Sequence, residues 1–427
     1  MHLAPLFRHR HLARPVISHL ALAAGLLGLA LTPLEAAEVS VRGNQILVDG
    51  KPFVPNGAGG ETRFEDLAKL GATVVRTYGQ EPGEILDAAH KAGLKVIVGL
   101  WMGHPRMGFD YNDKAAVKAQ LEGFRPVVER YRDHPALLMW GIGNEIEVDM
   151  PPSPNHPLWP AIDEAARFVK SIDPHHPAMA VIADTGSDKV ALVKQHAPTI
   201  DVLGINAYGD SLLTIDERAR KQGWTGPLVF TEMGADGHWS VPQTAWGAAL
   251  EPNSTEKAHK MRRYLELAKE KGIGAVPILW GQKQEVTPTW YSLLLPTGEW
   301  NETVEVMADA WGGTPPGGPN KAPRILSLVH KGPQSFAPDE ETHVVLETTD
   351  PDGDPVNVEW DIMAETTARS VGGAPEPVPP SFPQGVHEAS ETGARIANLP
   401  PGKYRVFVTV RDGKGAAATG NLPIEVK

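Results

Sequence analysis

Between Phe53 and Leu279, short apolar runs alternate with amphipathic stretches eight times over, and this alternation constrains the chain more than any other feature. The runs are Phe53–Pro55, Thr73–Arg76, Lys95–Val98, Leu137–Trp140, Ala178–Ile182, Val202–Ile205, Leu228–Thr231 and Ala275–Leu279. Each is short and apolar on both faces, as a parallel strand buried on both sides must be. The stretches between them carry the helical period. Val117, Leu121, Phe124, Val128 and Tyr131 recur at steps of three and four after the third run, and Ala258, Met261, Leu265 and Ala268 do so after the seventh. Pro82 opens the second helical stretch and Gly93 closes it, the usual asymmetry of helix ends. Eight strand–helix units predict a (β/α)8 TIM barrel, which takes about 250 residues. The rival is an open doubly wound sheet, but no GxGxxG or phosphate-binding loop supports it.

Three further segments complete the organisation. The leading VSVRGNQILVDGKP has valine and leucine arms around Gly-Asn and Asp-Gly turns, and it predicts a small hairpin closing the bottom of the barrel. After Trp311, the run GGTPPGGPNKAP cannot hold helix or strand and reads as a linker. Beyond it only Trp360 remains of the tryptophans, and short β-rich runs replace the helical period: Arg324–Val329, His343–Glu347, Val356–Ile362 and Tyr404–Val410. Turn signals separate these runs, as in an Ig-like β-sandwich. The expected fold class is therefore α/β, a (β/α)8 TIM barrel over 38–312, then a Gly/Pro linker over 313–322 and a C-terminal Ig-like β-sandwich over 323–427.

Residues 1–37 read as a signal peptide. Arg8, Arg10 and Arg14 precede the apolar run VISHLALAAGLLGLAL, and a proline and small residues follow it. The run is short for a spanning helix, which needs about 20 residues. A periplasmic or secreted protein is expected, with an uncleaved anchor as the alternative. The absence of cysteine excludes disulfides, zinc–thiolate sites and a cysteine nucleophile. A formal net charge of -12 disfavours nucleic acid as a partner, because phosphate contacts need Lys and Arg.

In a barrel the reacting groups sit where the strands end at the carboxyl face. The fourth run ends in WGIGNE and the seventh in TEMG, which places Glu145 and Glu232 at that face, three units apart. Two opposed carboxylates suit glycoside hydrolysis, in which one is protonated to release the leaving oxygen and the other is ionised to attack or to activate water. Their environments must hold the two pKa values apart. Arg76, at the end of the second run, is placed to keep Glu232 ionised. Tyr208 is placed to donate to the same carboxylate, and Asn144 to bind a sugar hydroxyl. Trp101, Trp239, Trp246, Trp280 and Trp290 fall where flat surfaces for sugar rings would lie, and His104 is a further sugar contact or else a loop cap. Trp140 and Trp159 read as core.

These residues resemble a known family. RYRDHPALLMWGIGNE (Arg130–Glu145) resembles the segment of glycoside hydrolase family two that ends in the Asn-Glu acid/base, and LVFTEMG (Leu228–Gly234) resembles the nucleophile strand of the same retaining clan, clan A. VRGNQILVDGKPFVPNGA resembles the start of that family's barrel, and TVVRTYGQEP is similar to glucan-active clan members. The resemblance spans about Val39 to Trp311 and implies that Glu145 is the acid/base and Glu232 the nucleophile, assisted by Asn144, Arg76, Tyr208 and Trp280. This chain departs from the family in having its sandwich after the barrel rather than before it.

Together these readings imply an exported retaining β-glycosidase acting on a β-linked, glucan-like carbohydrate, with the two carboxyl groups about 5 Å apart and no cofactor or metal. Two alternatives share the scaffold: a transglycosylase, and a non-catalytic carbohydrate-binding or surface-adhesion protein. The oligomeric state is left open. His175-His176 reads as a turn rather than a metal pair, and Asp350–Asp354 as a turn in preference to a calcium loop.

Overall fold

The computed structural model describes residues 38–427 apart from 80, 151–152, 185–186, 368–372 and 375. The expected leader, 1–37, lies outside the described residues. Among the described residues no helix is long and apolar enough to cross a membrane.

Eight parallel strands follow one another in chain order around a single sheet. They are Gly57–Gly59, Val74–Arg76, Lys95–Leu100, Leu137–Ile142, Ala178–Ala183, Val202–Tyr208, Leu228–Gly234 and Gly274–Pro277. The first and eighth adjoin, and Trp280 N–H donates to Gly59 O across the seam at 2.8 Å. The lumen is filled by Val74, Ile97, Leu138, Met139, Met179, Val181, Val202, Val229 and Val276, so that the strands meet in a packed core rather than a pore. Val39 and Ile46 join the same cluster from the three-stranded antiparallel sheet Val39–Arg42, Gln45–Val48 and Lys51–Phe53. The predicted hairpin thus plugs the barrel's lower end.

One strand differs from expectation. Phe53–Pro55 is not the first barrel strand; Phe53 ends the hairpin sheet, and Gly57–Gly59 takes the barrel position. The reason is steric. A Cβ on Gly57 would lie 1.7 Å from Val74 O, so the chain must pass here without a side chain, and the strand carries no hydrophobic signature.

The tail forms two four-stranded sheets packed face to face. One runs Arg324–His330, Thr342–Thr349, Gly393–Ile396, Val386–Ser390 and the other Ser335–Phe336, Ala417–Val426, Gly402–Arg411, Asn357–Ala364. The four expected runs all appear as strands, and the core between the sheets includes Val344, Ile362, Ile396 and Val406.

The segment 313–322 has no helix or strand, yet it is firmly held. Thr314 N–H donates to Lys69 O at 2.8 Å, and the Trp300 indole donates to Pro316 O at 3.0 Å. Barrel and sandwich also share a buried polar seam. The Arg405 guanidinium, from the sandwich, donates to Ala249 O of the barrel from two nitrogens at 3.0 Å, and pairs with Glu365 at 2.8 Å. Glu251 of the barrel accepts from Asn421 Nδ2 at 2.6 Å and from the hydroxyls of Thr287 and Thr289 at 2.6 and 2.9 Å.

Candidate active site

The site is assembled at the carboxyl ends of the second, fourth, sixth and seventh strands. Arg76 ends the second strand and is only 2% exposed. Its Nη1 donates to Glu232 Oε1 at 3.0 Å and to Thr231 O at 2.9 Å, and its Nη2 donates to Asn144 Oδ1 at 2.7 Å. One guanidinium therefore ties the fourth strand to the seventh. A charge buried this deeply is tolerated because it is paired and hydrogen-bonded on both sides. Its flat face also lies 4.3 Å from the centre of the Tyr78 ring.

Asn206, from the sixth strand, bridges to the other carboxyl group. Its Nδ2 donates to Glu145 Oε1 at 2.9 Å and to Asn144 Oδ1 at 3.0 Å, while its Oδ1 accepts from the Thr231 hydroxyl at 2.8 Å. The second oxygen of Glu232 accepts from the Tyr208 hydroxyl at 2.9 Å, and Tyr78 also hydrogen-bonds that carboxylate. Burial, then the Glu232 charge, raises both tyrosines far above the ordinary phenol range, so each remains a donor.

Glu145 occupies a contrasting environment. Its backbone sits at φ 50, in the left-handed region that a residue with a side chain rarely enters, just after Gly143 at φ 69. Such strained positions gather at functional sites. Burial first, and then the negative charge of Glu232, push the Glu145 carboxyl up to about 8. The Asn206 hydrogen bond and the Arg76 charge oppose that rise without cancelling it. The pair can thus hold a proton on one carboxyl group while the other keeps an ion pair. That is the division of labour an acid and a nucleophile need.

The structure brings together Glu145, Glu232, Arg76, Asn144 and Tyr208. Three expected sugar contacts stand differently. Trp280 is 2% exposed, with its indole donating to Thr62 O at 3.0 Å, so it forms a wall of the barrel end and offers no open platform. Trp290 is buried too and is bound through its indole to Asp236 O. His104 is buried beneath the Trp101 ring, at 4.7 Å between ring centres. Trp101, 43% exposed, and Trp239, 61% exposed, are the open aromatic surfaces among the five. Asn206 and Tyr78 were not singled out from the sequence, although each lies within two residues of one that was. A third carboxyl group, Glu285, comes close enough for Glu232 to help raise its pKa, burial being the larger cause.

His176 is held by Asp173, whose Oδ2 lies 2.8 Å from its ring and also accepts from the Trp140 indole, so the His-His pair is a structural turn. Asp350 Oδ1 accepts from the backbone of Asp352 and Asp354, and Lys414 pairs with Asp354, while carboxylate oxygens of Asp350, Asp352 and Asp354 lie within 4.8 Å of one another, so the turn also groups three oxygen ligands. Trp140 and Trp159 are in the core.

No family model matches the chain. It is 29% identical over 146 residues to a probable mannan endo-1,4-β-mannosidase C of Aspergillus terreus, covering 28% of this chain and 36% of that one. It is 25% identical over 239 residues to human β-glucuronidase, covering 48% of this chain and 34% of that protein. The Bifidobacterium dentium β-glucuronidase structure superposes with a TM-score of 0.52 at 18% identity, over 65% of this chain and 49% of the other. That of the Dictyoglomus thermophilum enzyme gives 0.51 at 19% identity, over 65% and 54%. The chain therefore spans about a third of the length of these curated relatives and about half of these solved structures. The barrel is a TIM barrel, similar in fold to those of these β-glucuronidases.

Proposed function

We propose that this protein is an exported retaining β-glycosidase that hydrolyses a β-linked oligo- or polysaccharide through a covalent glycosyl–enzyme intermediate. The observation that carries this reading is the asymmetry of the two carboxyl groups: Glu145 is raised to about 8 by burial and its neighbour, while Glu232 is ion-paired to Arg76 at 3.0 Å. In the first step the Glu145 carboxyl gives its proton to the glycosidic oxygen as a Glu232 oxygen attacks the anomeric carbon, and the aglycone leaves. In the second, Glu145 takes a proton from water as the water oxygen displaces Glu232, and the sugar departs with its configuration retained. Arg76, Tyr208 and Tyr78 hold Glu232 in line from three sides, and Asn206 orients Glu145.

The substrate class is a β-linked glycan, glucan-like in backbone. Relatives named for mannan and for glucuronides fit that breadth. The test is a panel of β-linked polysaccharides and oligosaccharides, with products resolved by size and anomeric form. Release of shorter, configuration-retained products, lost in Glu145→Gln and Glu232→Gln with the fold intact, supports the proposal. Products longer than the starting oligosaccharide would assign transglycosylation instead. Sugar binding without any bond cleavage would leave a binding protein. Export is tested by the N-terminus of the protein recovered outside the cytoplasm, which should begin near residue 37.

A further inference from the structure

The loop between the third barrel strand and the helix Lys114–Tyr131 holds polar groups that the proposed reaction does not use. Arg106 lies on the single turn Pro105–Met107. Its Nε, Nη1 and Nη2 are all shielded from solvent and have no hydrogen-bond partner among the described residues. His104, two residues earlier, is 1% exposed, and neither of its ring nitrogens has a partner there. Burial, and then the charge of Arg106, lower His104 to about 4, so it is neutral. The loop itself is well anchored: Gly103 N–H donates to Gln120 Oε1 at 2.6 Å, and Gly103 O accepts from the Tyr111 hydroxyl at 2.6 Å.

Buried polar groups without partners are rare, and an unpaired buried cation is the costliest kind. The chemistry of what would satisfy this set follows by counting. A guanidinium offers five donors and no acceptor; a neutral imidazole offers one of each. The set is therefore heavily in excess of donors and carries a positive charge, so its complement is an oxyanion. Beside it the exposed Trp101 ring leans over His104 at an interplanar angle of 32°. An open indole face suits the apolar face of a sugar. Oxyanion and sugar face together describe one ligand, a charged sugar unit. The loop follows a barrel strand at its carboxyl end, so it is on the face that carries Glu145 and Glu232. The neighbouring Met107 is 58% exposed, so the loop reaches the surface beside Arg106.

We infer that this loop is a subsite for an anionic unit of the glycan, in which Arg106 grips a carboxylate or phosphate ester while Trp101 covers the sugar ring. The inference rests on the glycosidase reading and narrows it to acidic β-linked glycans. On a chain with a formal net charge of -12, an acidic glycan is repelled overall, so recognition requires a dedicated cation.

The experiment is a calorimetric titration of the full chain carrying Glu232→Gln with three β-linked oligosaccharides of equal length: neutral, uronate-bearing and 6-phosphorylated. The expected result is at least tenfold tighter binding of one charged probe than of the neutral one, and that probe identifies the substituent. Adding Arg106→Gln should abolish this preference, and Arg106→Lys should keep part of it. The preference should also shrink at high salt, a readout that needs no second variant. Equal binding of all three probes, or equal weakening of neutral and charged probes by Arg106→Gln, would overturn the subsite. Hydrolysis is scored separately on the unmodified chain. Charge-selective binding without hydrolysis sinks the glycosidase and leaves the subsite; hydrolysis of neutral glycan without charge selectivity does the reverse.

Discussion

Glu145 and Glu232 are chemically the same group, and only their surroundings separate them. The proposed acid role requires the protonated form of Glu145, and burial raises that group to about 8, so kcat/KM should fall as pH rises through about 8. Glu145→Gln should remove turnover of poor leaving groups first. The same shift links to stability. The folded pKa lies above the ordinary 4.5, so Glu145 contributes stability that is whole below about 4.5 and is lost as pH rises to about 8. Glutamine stays neutral throughout that window, so the melting temperature of Glu145→Gln should gain on that of the parent as pH rises across it. Thermal unfolding at about pH 5 and about pH 8.5 checks the sign. Tyr208→Phe removes a donor to the Glu232 carboxylate; a hydrogen bond to a charged group contributes about 1.5–3 kcal/mol. If that bond strengthens in the transition state, kcat should drop about 10- to 100-fold with little change in KM. At this scale the carboxylates, Arg76, Asn144 and Tyr208 were legible, because each ends a readable strand. Asn206 and Tyr78 were not. Their neighbours Tyr208 and Arg76 drew attention first, and only the closed barrel shows which side chains converge.

At the level of elements, helix Ser254–Lys271 shows how local sequence serves the whole. Asn253 caps it in a full capping box with Glu256, and Gly272 ends it in a left-handed turn. Ser254, the first residue inside the cap, accepts from Thr419 N–H of the sandwich at 2.9 Å. Asn253→Ala should cost about 1 kcal/mol, measured by denaturant unfolding, the usual loss of an N-cap. The strands divide by visibility for a physical reason. Seven barrel strands are apolar on both faces and declare themselves, whereas Gly57–Gly59 is selected for the absence of side chains. In the sandwich, Ala417–Val426 is one of the longest strands, yet its small and polar residues hide it. It is buried by pairing with Gly402–Arg411 and by lying against the capped helix.

Over the whole molecule, barrel and sandwich are joined by more than a linker. Arg405 and its partner Glu365 are both nearly closed to solvent, and Arg405 also reaches Ala249 O and, at 2.7 Å, Asn421 Oδ1. Removing one member of a buried ion pair leaves the other uncompensated and costs about 3–5 kcal/mol. Arg405→Ala should therefore lower the melting temperature of barrel and sandwich together, read as one calorimetric transition; an unchanged barrel transition beside a lowered sandwich transition would contradict this shared seam. Glu251 extends the seam toward the site, because the threonines it holds, Thr287 and Thr289, immediately precede Trp290 and Tyr291, and the Tyr291 ring lies 5.4 Å from that of Tyr208.

Composition and periodicity were enough to determine the kind of fold and the end of the barrel at which acids would gather. Strand burial and helix amphipathicity are local properties, written every two or every three to four residues. Which carboxyl keeps its proton, which tryptophans stay open to solvent and how the sandwich is seated were decided only by tertiary structure. Each depends on desolvation and on partners brought from strands far apart in the chain, and no local pattern encodes those distances.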